Sequence, residues 1–394
     1  MTKSLAQQTD RLKIDVCHLT SAHDRHDTRI FQKMCLSLQS NGYQVALVVA
    51  DGQPNDRTSG IIILGLPKFT SRLLRMVFAP LMVFFAAKRT RARFFHFHDP
   101  ELLWVGLLLK ATTRAKVIYD AHEDLPATIF AKTYIPERLR KFVSHLSGLI
   151  EKSVSARLDA IVTATPYIRT QFLRKQIEAV DICNYPINQQ MPSPAGLLKT
   201  VPARISYIGN VGVNRGILEL VSALPLCRTN VRLDICGRFS EPKTEETARS
   251  HSGWRQVDFH GWVDSRTITD ILLRSSAGLV TLKPTPNYLY SLPVKLFEYM
   301  RAGLPVIASD FEEWRKIVDV HECGVLVNPD QPKEIAKAID WIVENKERAY
   351  KMGVNGKEAV DSQFNWSREE KKLIRLYEKL GKHVRVETSA LYSE

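Results

Sequence analysis

Short apolar runs alternate with amphipathic stretches along most of the chain, and this pattern predicts strands and helices in turn. Near the N-terminus KIDVCH (13–18) reads as a strand, followed by the polar loop TSAHDRHDT and an amphipathic helix over about 29–41. Gly42 stops that helix, and YQVALVV is the next strand. A strand–helix–strand opening is a βαβ unit and predicts a parallel sheet. The alternation continues through strands at 61–64, 94–97, 116–119, 160–163 and 180–183. Helices are predicted at ELLWVGLLLKA, about 136–156, and 166–175.

Periodicity is lost over INQQMPSPAGLLKTVPA (187–203), which gathers three Pro and one Gly and reads as a linker. Beyond it the alternation restarts with strands RISYIG, VRLDIC, VDF, AGLVTL and GVLVNP and helices ILELVSAL, SRTITDILLRS, 331–347 and 348–361. One stretch, PVKLFEYMRAGLPVIASD (293–310), compresses the scheme: a short helix carrying Glu298, a Gly303-Leu304-Pro305 turn, and the buried strand Val306-Ile307-Ala308. The fold class predicted is α/β, with two doubly wound domains. The domains are 1–186 and 203–365, joined by 187–202, with a tail at 385–394.

The segment 69–93, FTSRLLRMVFAPLMVFFAAKRTRAR, departs from the alternation. Its apolar core from Met76 to Ala87 is shorter than the roughly 20 residues that span a bilayer. Pro80 is expected to kink or restart a helix there. Two readings stay open: a buried helix, or a helix lying in an anionic membrane interface. In the second, Phe78, Leu81, Phe84 and Phe85 are immersed and Arg72, Arg75, Lys88, Arg89, Arg91 and Arg93 meet lipid phosphates. The basic run Arg138-Leu139-Arg140-Lys141 suits the same surface.

Composition narrows the classes. At 394 residues, 44% apolar and 25% charged, the chain is ordinary globular protein of two or three domains. Of the formal +13 charge, about +10 lies in residues 1–185, which hold 26 Lys and Arg against 16 Asp and Glu. Zinc spacing, RNP-like aromatics and a helix-turn-helix pattern are all missing, so no nucleic-acid partner is expected. Six cysteines without CxxC spacing, and an N-terminus with no apolar signal core, predict a cytoplasmic protein, with peripheral attachment to the inner face of the membrane as the variant of that expectation.

Candidate chemistry collects at predicted strand ends. His98-Asp99 follows 94–97, and Asp120-Ala121-His122 follows 116–119; histidine there can act as base or hydrogen-bond donor, or merely cap. In the second half, the loop from Gly209 and Asn210 to Arg215, the turn at Gly237-Arg238, and Glu298 line up at strand C-termini. Bare backbone N–H groups beside an Arg suit phosphate, and a carboxylate can hold two ribose hydroxyls. These read together as a nucleotide-diphosphate site. Neither GxxxxGK[ST] nor GxGxxG occurs, which disfavours an NTPase or a dehydrogenase.

The series YIGN…NRGILELVSAL, LDICGRF, VDFHGW and PVKLFEYMRAGLPVIASD…GVLVNP resembles the donor domain of retaining GT-B glycosyltransferases of the family 4 type (glycosyl transferases group 1). HLTSAHDRHDTRIFQK, HFHDPELL and YDAHEDLP resemble the acceptor domain more loosely. NWSREEKKLIRLYEKLG (366–384 region) is similar to a final helix that packs back on the first domain. The resemblance implies two Rossmann-like domains facing across a cleft and sugar transfer from a nucleotide-sugar donor to a glycan or lipid-linked acceptor, with retention, as in polysaccharide or lipopolysaccharide assembly. It implies no cofactor and no metal. Arg215 falls on the diphosphate position, Glu298 on the second Glu of E-x7-E, and His122 where a His faces the donor sugar. His98 and Asp99 lie near it. Two positions depart: Tyr290 replaces the first Glu and Asn210 a phosphate cation, and Lys295 either restores a positive charge near the diphosphate or is a plain surface lysine. An epimerase or hydrolase on the same fold, and a non-catalytic binding protein, are the alternatives.

Overall fold

The computed structural model describes residues 13–130, 135–188, 191 and 202–390, leaving aside the side chains of 72, 73 and 383–390. Most of the expected linker 187–202, and the last residues of the tail, lie outside the described residues. The chain divides into two compact units, one running to Asn184 and resuming at Trp366, the other Tyr185–Asn365.

In the first unit the strands are β1 (Val16–Thr20), β2 (Val45–Val49), β3 (Asp56–Thr58), β4 (Ile61–Gly65), β5 (Phe94–Phe97), β6 (Lys116–Ala121), β7 (Ala160–Thr163) and β8 (Val180–Asp181). They form one sheet in the order β3-β4-β2-β1-β5-β6-β7-β8, parallel except for β3. Its helices are α1 (Leu36–Ser40), entered through a π-helical run at Thr28–Cys35, then α2 (Arg72–Thr90), α3 (Leu103–Thr112), α4 (Leu125–Phe130), α5 (Glu137–Ser155) and α6 (Pro166–Arg174). The second unit has β9 (Ala203–Ile208), β10 (Val231–Cys236), β11 (Val257–Gly261), β12 (Ala277–Val280), β13 (Val306–Ser309) and β14 (Gly324–Val327), ordered β11-β10-β9-β12-β13-β14 and all parallel. Around them run α7 (Ile217–Ala223), α8 (Pro242–Ser250), α9 (Ser265–Leu273), α10 (Pro286–Leu289), α11 (Val294–Arg301), α12 (Glu312–Val318), α13 (Pro332–Glu344) and α14 (Lys346–Ser362). The last helix, α15 (Trp366–Ala390), belongs to the first unit, where Trp366 Nε1 donates to Ser37 Oγ at 2.9 Å.

Each sheet buries an apolar layer: Leu19, Val48, Phe95, Phe97 and Val117 in the first, Ile205, Leu233, Ile235, Leu279 and Ile307 in the second. Several expectations are corrected. The strand at 116–119 continues through Ala121, so Asp120 is a sheet residue, and the strand at 180–183 is only two residues long. Strand β3 and helices α4 and α12, too short for a periodic signal, were not expected.

Pro80 does not break α2, which runs through it. Ala79, Val83, Phe84 and Ala87 face the core, spaced at one helical turn. Phe84 is therefore a core residue and not an immersed one. The opposite side leaves Met76, Val77, Phe78, Leu81 and Phe85 between 42% and 54% exposed. Arg75 pairs with Glu101 at 3.5 Å, while the side chain of Arg72 lies outside the described residues.

Candidate functional site

The chemistry of the first unit begins inside its sheet. Strands β1 and β5 run parallel with His18 opposite His96, so two imidazoles meet in the sheet interior. His98, just past β5, stacks on both, with ring centroids 5.2 Å from His18 and 4.9 Å from His96. All three are buried. Burial pushes the pKa of each below the ordinary imidazole value, and the neighbouring rings add to this for His18 and His96.

Asp120, on β6, is the hub beneath them. Its carboxylate accepts from Arg29 Nε at 2.9 Å and Nη2 at 2.7 Å, from His98 Nδ1 at 2.9 Å, and from His122 Nε2 at 2.8 Å. Burial alone would raise its pKa, but Arg29 and the histidines prevail and hold it well below the carboxylate range. An ionised carboxylate can only accept, so both histidines present N–H to it. His98 Nε2 is then the acceptor for His18 Nδ1, 2.9 Å away. By the same reasoning His122 presents an N–H at Nε2 to Asp120, which leaves Nδ1 as the ring nitrogen not engaged by that carboxylate. Its side chain is 20% exposed, where those of His98 and Asp120 are closed off.

Asp99 is equally enclosed. It takes Thr20 Oγ1 at 2.8 Å and Ser21 N at 2.6 Å, and it pairs with His23 Nδ1 at 3.0 Å. Burial works against charging His23, yet the Asp99 hydrogen bond and charge push its pKa up to about 9. The His23 ring lies edge-on to His122 at 5.1 Å. Of the three residues expected to be catalytic, His122 alone is open to a ligand, while His98 and Asp99 hold their neighbours in place. His23 carried no distinguishing mark in its loop, and only tertiary packing reveals it.

Among groups able to hold a metal, His96, His98 and Asp120 place ligand atoms within 4.8 Å of one another, as do Asp181, Cys183 and Glu369. In the first group Arg29 already fills the cationic position against Asp120, and in the second Lys372 Nζ stands 3.0 Å from Glu369.

In the second unit β9 ends at Gly209, whose φ is +109°, and β10 at Gly237, whose φ is +156°. A Cβ on Gly237 would lie 1.9 Å from the Gly209 carbonyl oxygen, so only glycine lets the two turns close together. Asn210 follows and is exposed. Gly216, at φ +73°, turns the chain into α7, and a Cβ there would strike the Thr281 carbonyl at 2.1 Å. Arg215 stacks its guanidinium 5.8 Å from the Tyr288 ring centroid. Lys295, in the first turn of α11, leans over Tyr207 with Nζ 3.8 Å from the ring centroid. Its Nζ is buried without a hydrogen-bond partner, and a Cβ on Gly209 would sit 3.8 Å from it. Glu298 is one turn further on, a third exposed, with Arg301 Nη2 2.6 Å and Nε 2.9 Å from the same Oε2. Gly209 thus packs against Gly237 and lies beside the Lys295 amine, whose pKa burial and the charge of Arg215 hold well below the ordinary lysine value, and Glu298 stands a turn further along α11. An open depression of about 540 Å³ lined by Trp341, Arg348 and Lys351, among others, lies elsewhere and includes none of them.

The glycosyl transferases group 1 family model matches residues 194–359, and the glycosyl transferase 4-like domain model matches 1–186. A phosphatidyl-myo-inositol mannosyltransferase of Mycobacterium leprae is 30% identical over 293 residues, 72% of each chain. The chain belongs to the glycosyl transferases group 1 family. A glycogen synthase of Mycobacterium tuberculosis is 23% identical over 191 residues, so the chain spans less than half, 44%, of that relative's length. Among solved structures, a sucrose-phosphate synthase of Thermosynechococcus elongatus gives a TM-score of 0.77 at 18% identity, covering 94% of this chain and 100% of that one. Anabaena Alr3699/HepE, solved in complex with UDP and glucose, gives 0.68 at 13% identity, covering 95% and 100%. These likenesses concern the fold, which is the two-sheet GT-B architecture. Tyr290 and Asn210, the two positions at which the sequence was expected to depart from the resemblance, are both exposed.

Proposed function

We propose that this family member transfers a sugar from a nucleotide-sugar donor to an acceptor hydroxyl with retention at the anomeric carbon. The observation that carries the reading is the group at the strand ends of the second unit: two basic side chains, Arg215 and Lys295, beside glycine turns, with a carboxylate a turn away. A nucleoside diphosphate matches it part by part. Backbone N–H groups and the two basic side chains suit the diphosphate, and Glu298 suits the ribose hydroxyls through Oε1, since Arg301 engages Oε2. As the glycosidic oxygen departs, negative charge grows on the phosphate, and fixed cations stabilise it most at that moment. The acceptor attacks from the face the diphosphate leaves, and its proton passes to the departing phosphate oxygen.

In the first unit Nδ1 of His122 accepts from a sugar or acceptor hydroxyl, and Asp120 fixes the ring that presents it. A lipid-linked acceptor in cell-surface polysaccharide assembly is supported by the outward side chains of three helices. Exposed Phe78, Leu81 and Phe85 on α2, Trp104 and Leu108 on α3, and Leu139, Phe142 and Leu146 on α5 share a unit with exposed Lys88, Arg89 and Arg91. That combination suits an anionic membrane surface. No helix among the described residues is long and apolar enough to cross a membrane.

The test is donor turnover by UDP-, GDP- and ADP-sugars with and without an acceptor glycolipid, the product anomer being read by NMR. Transfer with an unchanged anomer and near silence without acceptor is expected. Donor epimerisation or hydrolysis without acceptor would refute it.

A further inference from the structure

Among the described residues of the second unit, three buried polar atoms make no hydrogen bond, Glu219 Oε2, Thr281 Oγ1 and Lys295 Nζ, and of these Lys295 Nζ is the basic one that an anionic ligand would satisfy. That Nζ is enclosed, makes no hydrogen bond, and sits over the Tyr207 ring beside Gly209. The charged and titratable groups around it offer no counter-charge. From β9, Tyr207 donates its hydroxyl to the Asn210 carbonyl at 2.7 Å and is kept un-ionised by burial. From the turn after Gly212 comes Arg215, a cation, with the Tyr288 ring beside it. On its own helix, Glu298 is paired with Arg301.

Stripping water from an ammonium costs far more than one aromatic face returns, and Arg215 adds repulsion. We propose that Lys295 is an uncharged amine while the donor site is empty, and takes up one proton from solvent when a nucleoside diphosphate binds. The lone pair that accepts the proton is thereby turned into a donor toward the diphosphate. Binding creates the second cation that the Asn210 position does not supply. Consistent with this, burial first and Arg215 second push the pKa of Lys295 well below the ordinary lysine value. The ligand's negative charge reverses both effects, because an anion beside the amine favours its charged form.

The inference rests on the donor reading above, and the experiment separates the two. UDP, GDP and ADP are titrated calorimetrically into the full chain at about pH 8, in HEPES, TAPS and Tris, whose ionisation enthalpies differ. At that pH the terminal phosphate, with a second pKa near ~6, is already ionised and exchanges few protons. The apparent binding heat should vary with buffer, giving uptake approaching one proton per site. In Lys295→Arg, which is charged throughout, the dependence should vanish while binding persists. Lys295→Met should bind more weakly, also without uptake. Wild-type binding with the same heat in every buffer overturns the inference and spares the donor reading. Uptake that survives Lys295→Arg also overturns it. Failure of all three nucleotides to bind removes the donor reading and the inference together.

Discussion

Acidification should weaken the first unit steeply well above the carboxylate range, because its sheet encloses neutral imidazoles. His18, His96 and His98 all have pKa values below the ordinary 6.5 in the fold. The unfolded chain binds protons at these side chains below about 6.5 and the folded chain does not, so stability falls as pH falls. Between about pH 7 and 5.5 each fully protected imidazole loses ~1.3 kcal/mol. His18 and His96, the most strongly shifted, give about 2.5 kcal/mol, and His98 brings the total to as much as about 4 kcal/mol. That is a large share of an ordinary domain stability of roughly 5–15 kcal/mol.

Asp120 and Asp99, depressed in the fold, lose their contribution only as pH falls below the ordinary carboxylate value of about 4, outside this interval. His23 runs the other way: raised to about 9, its contribution is complete below about 6.5 and is lost as pH rises through about 9. Stability of this unit should therefore peak between those two limits. Urea denaturation at fixed ionic strength is the assay, with hydrogen exchange in peptides from β1 and β5 assigning the transition. An unchanged midpoint between about pH 7 and 5.5 would refute the argument. His18→Phe should make the slope shallower.

Arg215→Ala and Glu298→Ala should each weaken nucleotide binding by about 10- to 100-fold, the worth of a charge-assisted hydrogen bond, with melting temperature little changed; calorimetry that finds full affinity contradicts their assignment. Replacing Lys88, Arg89 and Arg91 together by Gln should cost about 3 kcal/mol of affinity for anionic vesicles, roughly 100-fold, and leave neutral vesicles unaffected; cosedimentation with equal partitioning sinks the membrane reading. Gly237→Ala should abolish nucleotide binding, because its Cβ meets the Gly209 carbonyl at 1.9 Å and must push the two turns apart. A matching nucleotide held at about 100 times its Kd should stabilise the second unit by about 2.7 kcal/mol in a thermal shift; no shift with UDP, GDP or ADP contradicts the donor reading.

The linear pattern of the chain determined its alternation of strands and helices and the strand ends where its chemistry gathers. That follows from local physics, since periodicity and turn residues act over a few positions. Arg215, Lys295, Glu298 and His122 could be singled out as candidates because they stand near strand ends and because the order of motifs around them resembles a known family. Other features needed contacts between residues far apart. His18 and His96 look like unrelated strand residues 78 positions apart until the β1–β5 register sets them side by side. Asp120 reads as a strand-end carboxylate until burial gathers Arg29, His98 and His122 on it.

Both faces of α2 are apolar, so periodicity left its orientation open. Packing against the sheet drew Val83, Phe84 and Ala87 inward and left Phe78, Leu81 and Phe85 outside. The enclosure of the Lys295 amine belongs to the same class. A sequence records that a lysine is present, and only the close approach of Gly209, Tyr207 and Arg215 decides whether water can reach its charge.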